Sequence, residues 1–177
     1  MNAGEIIQRW HQFEDGERAN KFFICLNDAT DEDPAVLVVT TSVQKDWRKA
    51  QMGCFHHSFE TYYVIQPGKV DWFDHLTFVR LDRRWLFTTA DILKESLVQR
   101  NYTVVGLVSE QTLNAVIKCF GRSPDIDQKT WDIVEASRKS RQQAGKGETS
   151  PAAGGAIGGG NFVSPSYRAP RQANTCG

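Results

Sequence analysis

The sequence has no long apolar run, no net charge and none of the common nucleotide-binding motifs. Its apolar runs fall well short of the roughly 18 residues that cross a bilayer, and the N-terminus lacks the features of a signal peptide. The 21 Lys and Arg balance 21 Asp and Glu, which excludes a uniformly basic nucleic-acid coat but allows a local basic patch. P-loop, GxGxxG and GxSxG motifs are absent, which removes the usual nucleotide, dinucleotide and hydrolase interpretations.

Cysteine is scarce and widely spaced. The four cysteines, Cys25, Cys54, Cys119 and Cys176, form no CxxC pair. This spacing is typical of reduced thiols in the cytosol rather than of a disulfide framework. We therefore expect a cytoplasmic protein whose cysteines are not paired.

The composition of the 177 residues changes near residue 143. Eight of the 14 glycines and three of the six prolines lie in residues 144–177. A segment of this kind has too little apolar surface to offset the entropy lost on ordering, so we predict a disordered tail over 144–177. Residues 1–143 are predicted to form one folded domain, and they carry 18 basic and 20 acidic groups.

The first half of the chain is predicted to be β-rich. Its apolar runs are too short for helices and are rich in β-branched and aromatic residues. The predicted strands cover residues 4–13, 22–26, 35–41, 61–65, 76–82 and 85–87. Residues 44–58 have no clear period and are predicted to be a long connection.

The second half is predicted to be helical, apart from a strand over 102–108. Thr88 or Thr89 can cap a helix over 90–99, and Asp127 can cap a last helix. Ser109 can cap a helix that ends at Gly121 and whose apolar residues have i, i+3, i+4, i+7 spacing: Leu113, Val116, Ile117 and Phe120. Strands followed by helices predict an α+β domain whose sheet curls into a small barrel.

The strand over 76–82 carries the most informative side chains. Because side chains alternate between faces, Phe78, Arg80 and Asp82 should share one face, and Val79 and Leu81 the other. Arg can stabilise a phosphoryl group, Asp can accept a proton and Phe can stack on a base, which together suit a phosphodiester site. The alternative is a solvated surface ion pair of little consequence for stability.

Further polar side chains could contact a phosphate. Hydroxyls of Thr40, Thr41 and Ser42 follow a predicted buried strand, although hydroxyls at such places more often bond the local backbone. Lys21 begins the preceding strand and Arg18 lies in the charged loop before it. Either cation could reach a phosphate or remain solvated.

Residues 54–57, Cys-Phe-His-His, are the one local cluster of metal-ligand types. No second pair at zinc spacing accompanies them, so we expect no metal site. His56 and His57 could act as general acid or base near neutral pH, or could be ordinary polar loop residues.

The order of these elements resembles the MazF/PemK (Kid) toxins of type II toxin–antitoxin systems over residues 3–121. Those toxins begin with a Gly-[Asp/Glu]-Ile strand, matched by residues 4–6, and a charged loop and apolar strand follow, as at 14–27. Their next strand ends in Thr-Ser, matched by Thr41-Ser42. The PemK/Kid branch carries Val-Arg-x-Asp, matched by residues 79–82.

The resemblance implies a small SH3-like, strongly curved antiparallel barrel that forms a homodimer and cuts single-stranded RNA without a metal or other cofactor. A cognate antitoxin protein would be its regulator. By motif, Arg80 becomes the acid or phosphate stabiliser, Asp82 the base and Thr41 the phosphate contact. Where the family commonly has Arg-Pro, this chain has Asn20-Lys21. His11 is nearest to the loop histidine of the PemK branch.

Two functions follow as hypotheses. The first is an endoribonuclease toxin with catalytic Arg80, Asp82 and Thr41, whose RNA-binding residues are Lys21, Arg18, Ser42, Phe78 and His11. The second is a non-catalytic module on the same barrel, which binds a protein target such as gyrase, or binds RNA without cutting it.

Overall fold

Seven strands and three α-helices form the part of the chain that the computed structural model describes, residues 1–12, 16, 18–98 and 101–147. The strands are β1 (Glu5–Gln12), β2 (Arg18–Cys25), β3 (Ala35–Thr41), β4 (Gly53–His57), β5 (Glu60–Ile65), β6 (Thr77–Phe87) and β7 (Tyr102–Leu107). The helices are α1 (Thr89–Leu93), which continues as a π-helical segment (Lys94–Val98), α2 (Glu110–Phe120) and α3 (Gln128–Gly147).

All strands belong to one antiparallel sheet with the order β4-β5-β6-β3-β2-β1-β7. The predicted α+β class is confirmed. Within the described residues β4 and β7 are the edges of the sheet, and no pairing between them closes it.

The main core lies between one face of the sheet and α2. The apolar stripe predicted on α2 is buried, and Ser109 caps the helix by accepting a hydrogen bond from the Thr112 N–H. Val79 and Leu81 of β6 belong to this core, as do Val70 and Phe73 of the loop between β5 and β6. We call the sheet face that contacts α2 the inner face and the opposite one the outer face.

Gly121 ends α2 for a reason that the sequence did not reveal. Its φ of −65° is that of an ordinary right-handed helix, so no left-handed cap requires glycine. A Cβ at this position would instead lie 2.5 Å from Cη2 of Trp131. The glycine therefore lets the Trp131 ring of α3 pack closely on the end of α2.

Several element boundaries differ from the prediction. The predicted connection over 44–58 contains β4, because pairing with β5 supplies an order that its mixed composition does not signal. The strands predicted at 76–82 and 85–87 are one strand, β6. The helix predicted over 90–99 is the short α1 followed by the π-helical segment, with the predicted Thr88 cap in place.

The first residues of the predicted disordered tail are helical. Helix α3 continues through residues 144–147, and residues 148–177, the rest of the predicted disordered tail, lie outside the described residues.

The expectation of unpaired cysteines is wrong for two of them, since Cys54 of β4 and Cys119 of α2 form a disulfide. Folding brings their Cα atoms to 5.4 Å despite a separation of 65 residues. Cys25 is a buried free thiol.

None of the helices in the described part of the chain has the length and apolar character needed to span a membrane.

Candidate active site

The predicted alternation along β6 is present in the structure. Val79 and Leu81 lie in the inner core, whereas Phe78 packs with Tyr62 and Val64 of β5 in a separate cluster on the outer face. Tyr62 is opposite Arg80 in the β5–β6 ladder, which puts Arg80 on the outer face as well.

A β-bulge interrupts β6 at the residues of interest. Val79 pairs with Thr40 of β3 and Arg84 pairs with Val38, so residues 80–83 lie opposite Val39 alone. Extra residues bend and twist a strand, and such bulges are common next to active sites, where they redirect side chains. Arg80 and Asp82 both lie in this bulge.

Arg80 and Asp82 form a two-point ion pair. Nε of Arg80 donates to Oδ1 of Asp82 at 3.2 Å, and Nη2 donates to Oδ2 at 2.5 Å. The side chains are only 22% and 11% exposed. This pair is therefore half-buried and geometrically fixed, unlike the solvated surface pair considered as the alternative.

Glu60 and Arg48 extend this pair into a buried charge network. Oε2 of Glu60 lies 3.4 Å from Nε of Arg80, while Arg48 binds both Glu60 oxygens at 2.5 and 2.7 Å. Burial alone would raise the pKa of Glu60, but the Arg48 hydrogen bonds and the charges of Arg48 and Arg80 hold that pKa below its usual value. Glu60 is thus a carboxylate that orients two guanidinium groups.

Sequence reasoning missed both members of this network. Arg48 lies in the segment predicted to be a connection, and its guanidinium is also placed by a bond to the Val43 carbonyl and by the Phe78 ring, 5.0 Å away. Glu60 begins β5, one residue before the predicted strand. In the sequence, only the position of charged Glu60 next to the apolar run of β5 pointed to a buried charge, and such a position is common among ordinary surface residues.

More basic groups lie on the outer face around His11. The pKa of His11 is lowered by burial and by the positive charges of Arg9, Lys21 and Arg83. Nε of Arg83 lies 3.9 Å from Asp82, and its side chain is half-exposed. Three cations therefore lie near His11 on the outer face, of which Arg9 is paired with Glu95 at 3.2 Å.

Lys21, Thr41 and Ser42 line one cavity of about 380 Å³ where β3 ends. The structure thus brings together three of the residues predicted to contact a phosphate. Arg80 and Asp82 do not line this cavity. Thr41 lines the cavity and is also close to the Arg80–Asp82 pair. It is opposite Phe78 in the β3–β6 ladder and hence diagonal to Arg80 on the same face.

The remaining predicted contacts lie elsewhere. Phe78 is fully buried, so its ring cannot stack on a base as expected; Tyr62 and the Arg48 guanidinium cover it. Arg18 lies at the start of β2, where its guanidinium donates to Gln12 at 3.4 Å. His56 bonds the Thr61 hydroxyl on the β4–β5 hairpin, apart from the Arg80–Asp82 pair.

Over the described ranges, no three His, Cys, Asp or Glu side chains are grouped as a metal site requires. The arrangement supports three kinds of interaction: the guanidinium can bind an anion, the neighbouring carboxylate can accept a proton, and the hydroxyls can donate to phosphate oxygens.

Comparison of the chain with family models, curated proteins and solved structures gave no match in any of the three.

Proposed function

We propose that this protein is an endoribonuclease that cuts single-stranded RNA, a toxin of the MazF/PemK kind. The observation that carries the proposal is the half-buried Arg80–Asp82 pair in the β6 bulge, diagonal to Thr41 on the outer face. A guanidinium, a carboxylate and a hydroxyl in this arrangement suit the cleavage of an RNA phosphodiester.

In the proposed reaction Asp82 takes the proton of a ribose 2′-hydroxyl, and the 2′-oxygen attacks the adjacent phosphorus. The bond from phosphorus to the 5′-oxygen breaks, which leaves a 2′,3′-cyclic phosphate and a 5′-oxyanion. The oxyanion takes a proton from water and becomes a hydroxyl, and Asp82 releases its proton to the resulting hydroxide. Arg80 keeps its proton and stabilises the additional negative charge on the phosphorane. Thr41 donates to a phosphate oxygen, and Lys21 and Ser42 bind the neighbouring phosphate.

The ion pair must open for this reaction to begin. In the structure Arg80 occupies both oxygens of Asp82. A phosphate that binds Arg80 competes with Asp82 for the same donors and so frees the carboxylate to act as a base. Glu60, which lies 3.4 Å from Arg80, keeps the guanidinium in position during this exchange.

The finer features of the family belong to the same proposal. They are an SH3-like arrangement of the strands, a homodimer, action in the cytoplasm and control by an antitoxin. Charge supports the last of these, since an acidic antitoxin segment would complement Lys21 and the half-exposed Arg83.

A second function has one observation in its favour. Because both Asp82 oxygens accept hydrogen bonds from Arg80, the carboxylate is engaged rather than free to accept a proton. That arrangement suits a module that binds RNA or a protein such as gyrase without cutting anything.

Incubation of the purified chain with unstructured RNA and a chelator distinguishes the two functions. The nuclease predicts fragments that end in a cyclic or 3′-phosphate, and DNA of the same sequence should remain intact because it lacks the 2′-hydroxyl. RNA that is bound but uncut would overturn the nuclease and support the binding module.

A further inference from the structure

Three aromatic side chains form an exposed cluster at the β4–β5 turn. The rings of Trp47 and His57 are stacked, with centroids 5.6 Å apart and an interplanar angle of 18°. Phe59 lies 5.5 Å from Trp47 and 5.0 Å from His57, and it is 70% exposed. We call Trp47, His57 and Phe59 the aromatic platform.

The platform does not serve the buried clusters of the fold. Trp47 and Phe59 are absent from all three, although each is large enough to fill a core position. Single exposed apolar residues are normal, but several in mutual contact commonly mark a binding surface. Phe59 leaves the most ring surface open to a flat ligand, since it is 70% exposed, whereas the Trp47 ring is stacked on His57 and is 37% exposed.

The platform is joined to the proposed site through Glu60. Nε1 of Trp47 donates to Oε1 of Glu60 at 3.3 Å, and Oε2 of the same carboxylate lies 3.4 Å from Arg80. One residue therefore separates the exposed rings from the guanidinium proposed to bind the scissile phosphate.

Positive charge accompanies the rings. Nζ of Lys45 lies 5.7 Å from the centroid of Trp47, and Nζ of Lys49 lies 5.3 Å from that of the adjacent Phe55. Cations interleaved with exposed aromatic faces are the usual means of holding a single-stranded nucleic acid, because bases stack while the cations follow the phosphates.

We propose that the aromatic platform stacks on an unpaired base of RNA next to the phosphate bound by Arg80. This inference rests on the proposed function for the identity of the neighbouring phosphate. The platform suits the single-stranded RNA of the proposed function, since the bases of a duplex already stack on one another and cannot be splayed onto protein rings. It also replaces the buried Phe78 as the stacking residue.

The test measures binding of a fluorescent, unstructured 2′-O-methyl RNA, which cannot be cleaved through the 2′-hydroxyl. Phe59→Ala should weaken binding about 5- to 100-fold, the effect of losing one base–aromatic stack. Trp47→Phe keeps a ring but loses the bond to Glu60, and should bind nearly as wild type. Trp10→Ala removes a Trp of β1 that is 56% exposed and lies outside the platform, and it serves as the control.

An abasic oligonucleotide of the same length isolates the contribution of stacking. Wild type and Phe59→Ala should bind it equally, since only the charges remain. If Phe59→Ala and Trp47→Ala both melt as wild type and bind the base-containing RNA as wild type, the platform is refuted even if cleavage is observed. If the chain never cuts RNA but loses binding with Phe59→Ala, the nuclease fails and the platform stands.

Discussion

The carboxylate of Glu60 lies 3.4 Å from the guanidinium of Arg80 and joins the buried Arg48 to the pair proposed to do the chemistry. Arg80 thus lies between two carboxylates, Glu60 and Asp82, which differ in burial. Glu60 is 4% exposed and Asp82 11% exposed as side chains, so Glu60 fixes the arrangement and Asp82 is the more open to a ligand.

Replacement of Glu60 should destabilise the fold. Glu60→Gln leaves the Arg48 charge buried without its counter-ion, and loss of one partner of a buried pair typically costs about 3–5 kcal/mol. Urea unfolding measures the change. Glu110→Gln, which removes a 57% exposed partner of Arg141, is the control and should cost about 1 kcal/mol or less. Equal stability of Glu60→Gln and wild type would show that the network does not support the fold.

The Glu60 network should also make stability depend on pH. The pKa of Glu60 is lowered in the folded state from its ordinary value of 4.5, so the unfolded chain takes up the proton more readily. The stabilisation is therefore complete above pH 4.5 and is lost as pH falls through the folded-state pKa. The difference in unfolding free energy between wild type and Glu60→Gln should shrink below pH 4.5. A constant difference down to pH 3 would contradict this origin.

The Cys54–Cys119 bond should stabilise the edge of the sheet. It fastens β4 to α2 across 65 residues, and restraint of the unfolded chain by such a bond is typically worth about 2–4 kcal/mol. A reducing agent should lower the melting temperature of wild type but not that of the variant Cys54→Ser/Cys119→Ser. A wild-type melting temperature that does not respond to reduction would mean that the two thiols are unpaired in solution.

Thr41 should contribute to RNA binding through its hydroxyl. Thr41→Val keeps the shape but removes a hydroxyl that accepts from the Val43 N–H at 3.2 Å and is proposed to donate to a phosphate. Loss of the bond to the phosphate predicts about 2- to 12-fold weaker binding of unstructured RNA. Thr40→Val is the comparison: Thr40 lines the same cavity, but its hydroxyl donates to the Phe22 carbonyl, so its loss should lower stability and leave RNA binding unchanged. Unchanged affinity of Thr41→Val would remove Thr41 from the site.

The proposed cooperation of Arg80 and Asp82 has a kinetic signature. Arg80→Ala and Asp82→Ala should each lower single-turnover cleavage at least about 100-fold, and the double variant should be little slower than either. Groups that act as a unit lose most of their effect when either one is removed. If the loss of rate in the double variant equals the product of the two single losses, Arg80 and Asp82 contribute independently.

Local patterns predicted most of the elements but not their relationships. The α2 stripe and the Thr88 and Ser109 caps depend on neighbours within a few residues, which the sequence displays directly. β4 has a mixed composition and exists through pairing with β5, and the Cys54–Cys119 bond exists through packing of β4 on α2. Such long-range contacts leave no periodic signal.

In the candidate site, too, the sequence predicted local features but not long-range contacts. Alternation along β6 correctly put Arg80 and Asp82 on one face, yet it also put Phe78 there without showing that Tyr62 and Arg48 bury its ring. The spacing of Arg48 and Glu60 in the chain carries no hint of their ion pair. Only the fold of the β3–β4 connection against β5 reveals it.

The most direct test of the central claim compares cleavage of unstructured RNA by Asp82→Asn and Arg84→Ala. Arg84 lies on the same strand but contacts Asp127 and the start of α3, so its loss leaves the outer face intact. We predict that Asp82→Asn cuts at least about 100-fold more slowly than wild type, because the amide cannot take the 2′-hydroxyl proton, while Arg84→Ala cuts at the wild-type rate. Wild-type cleavage by a folded Asp82→Asn would contradict the claim that Asp82 is the base.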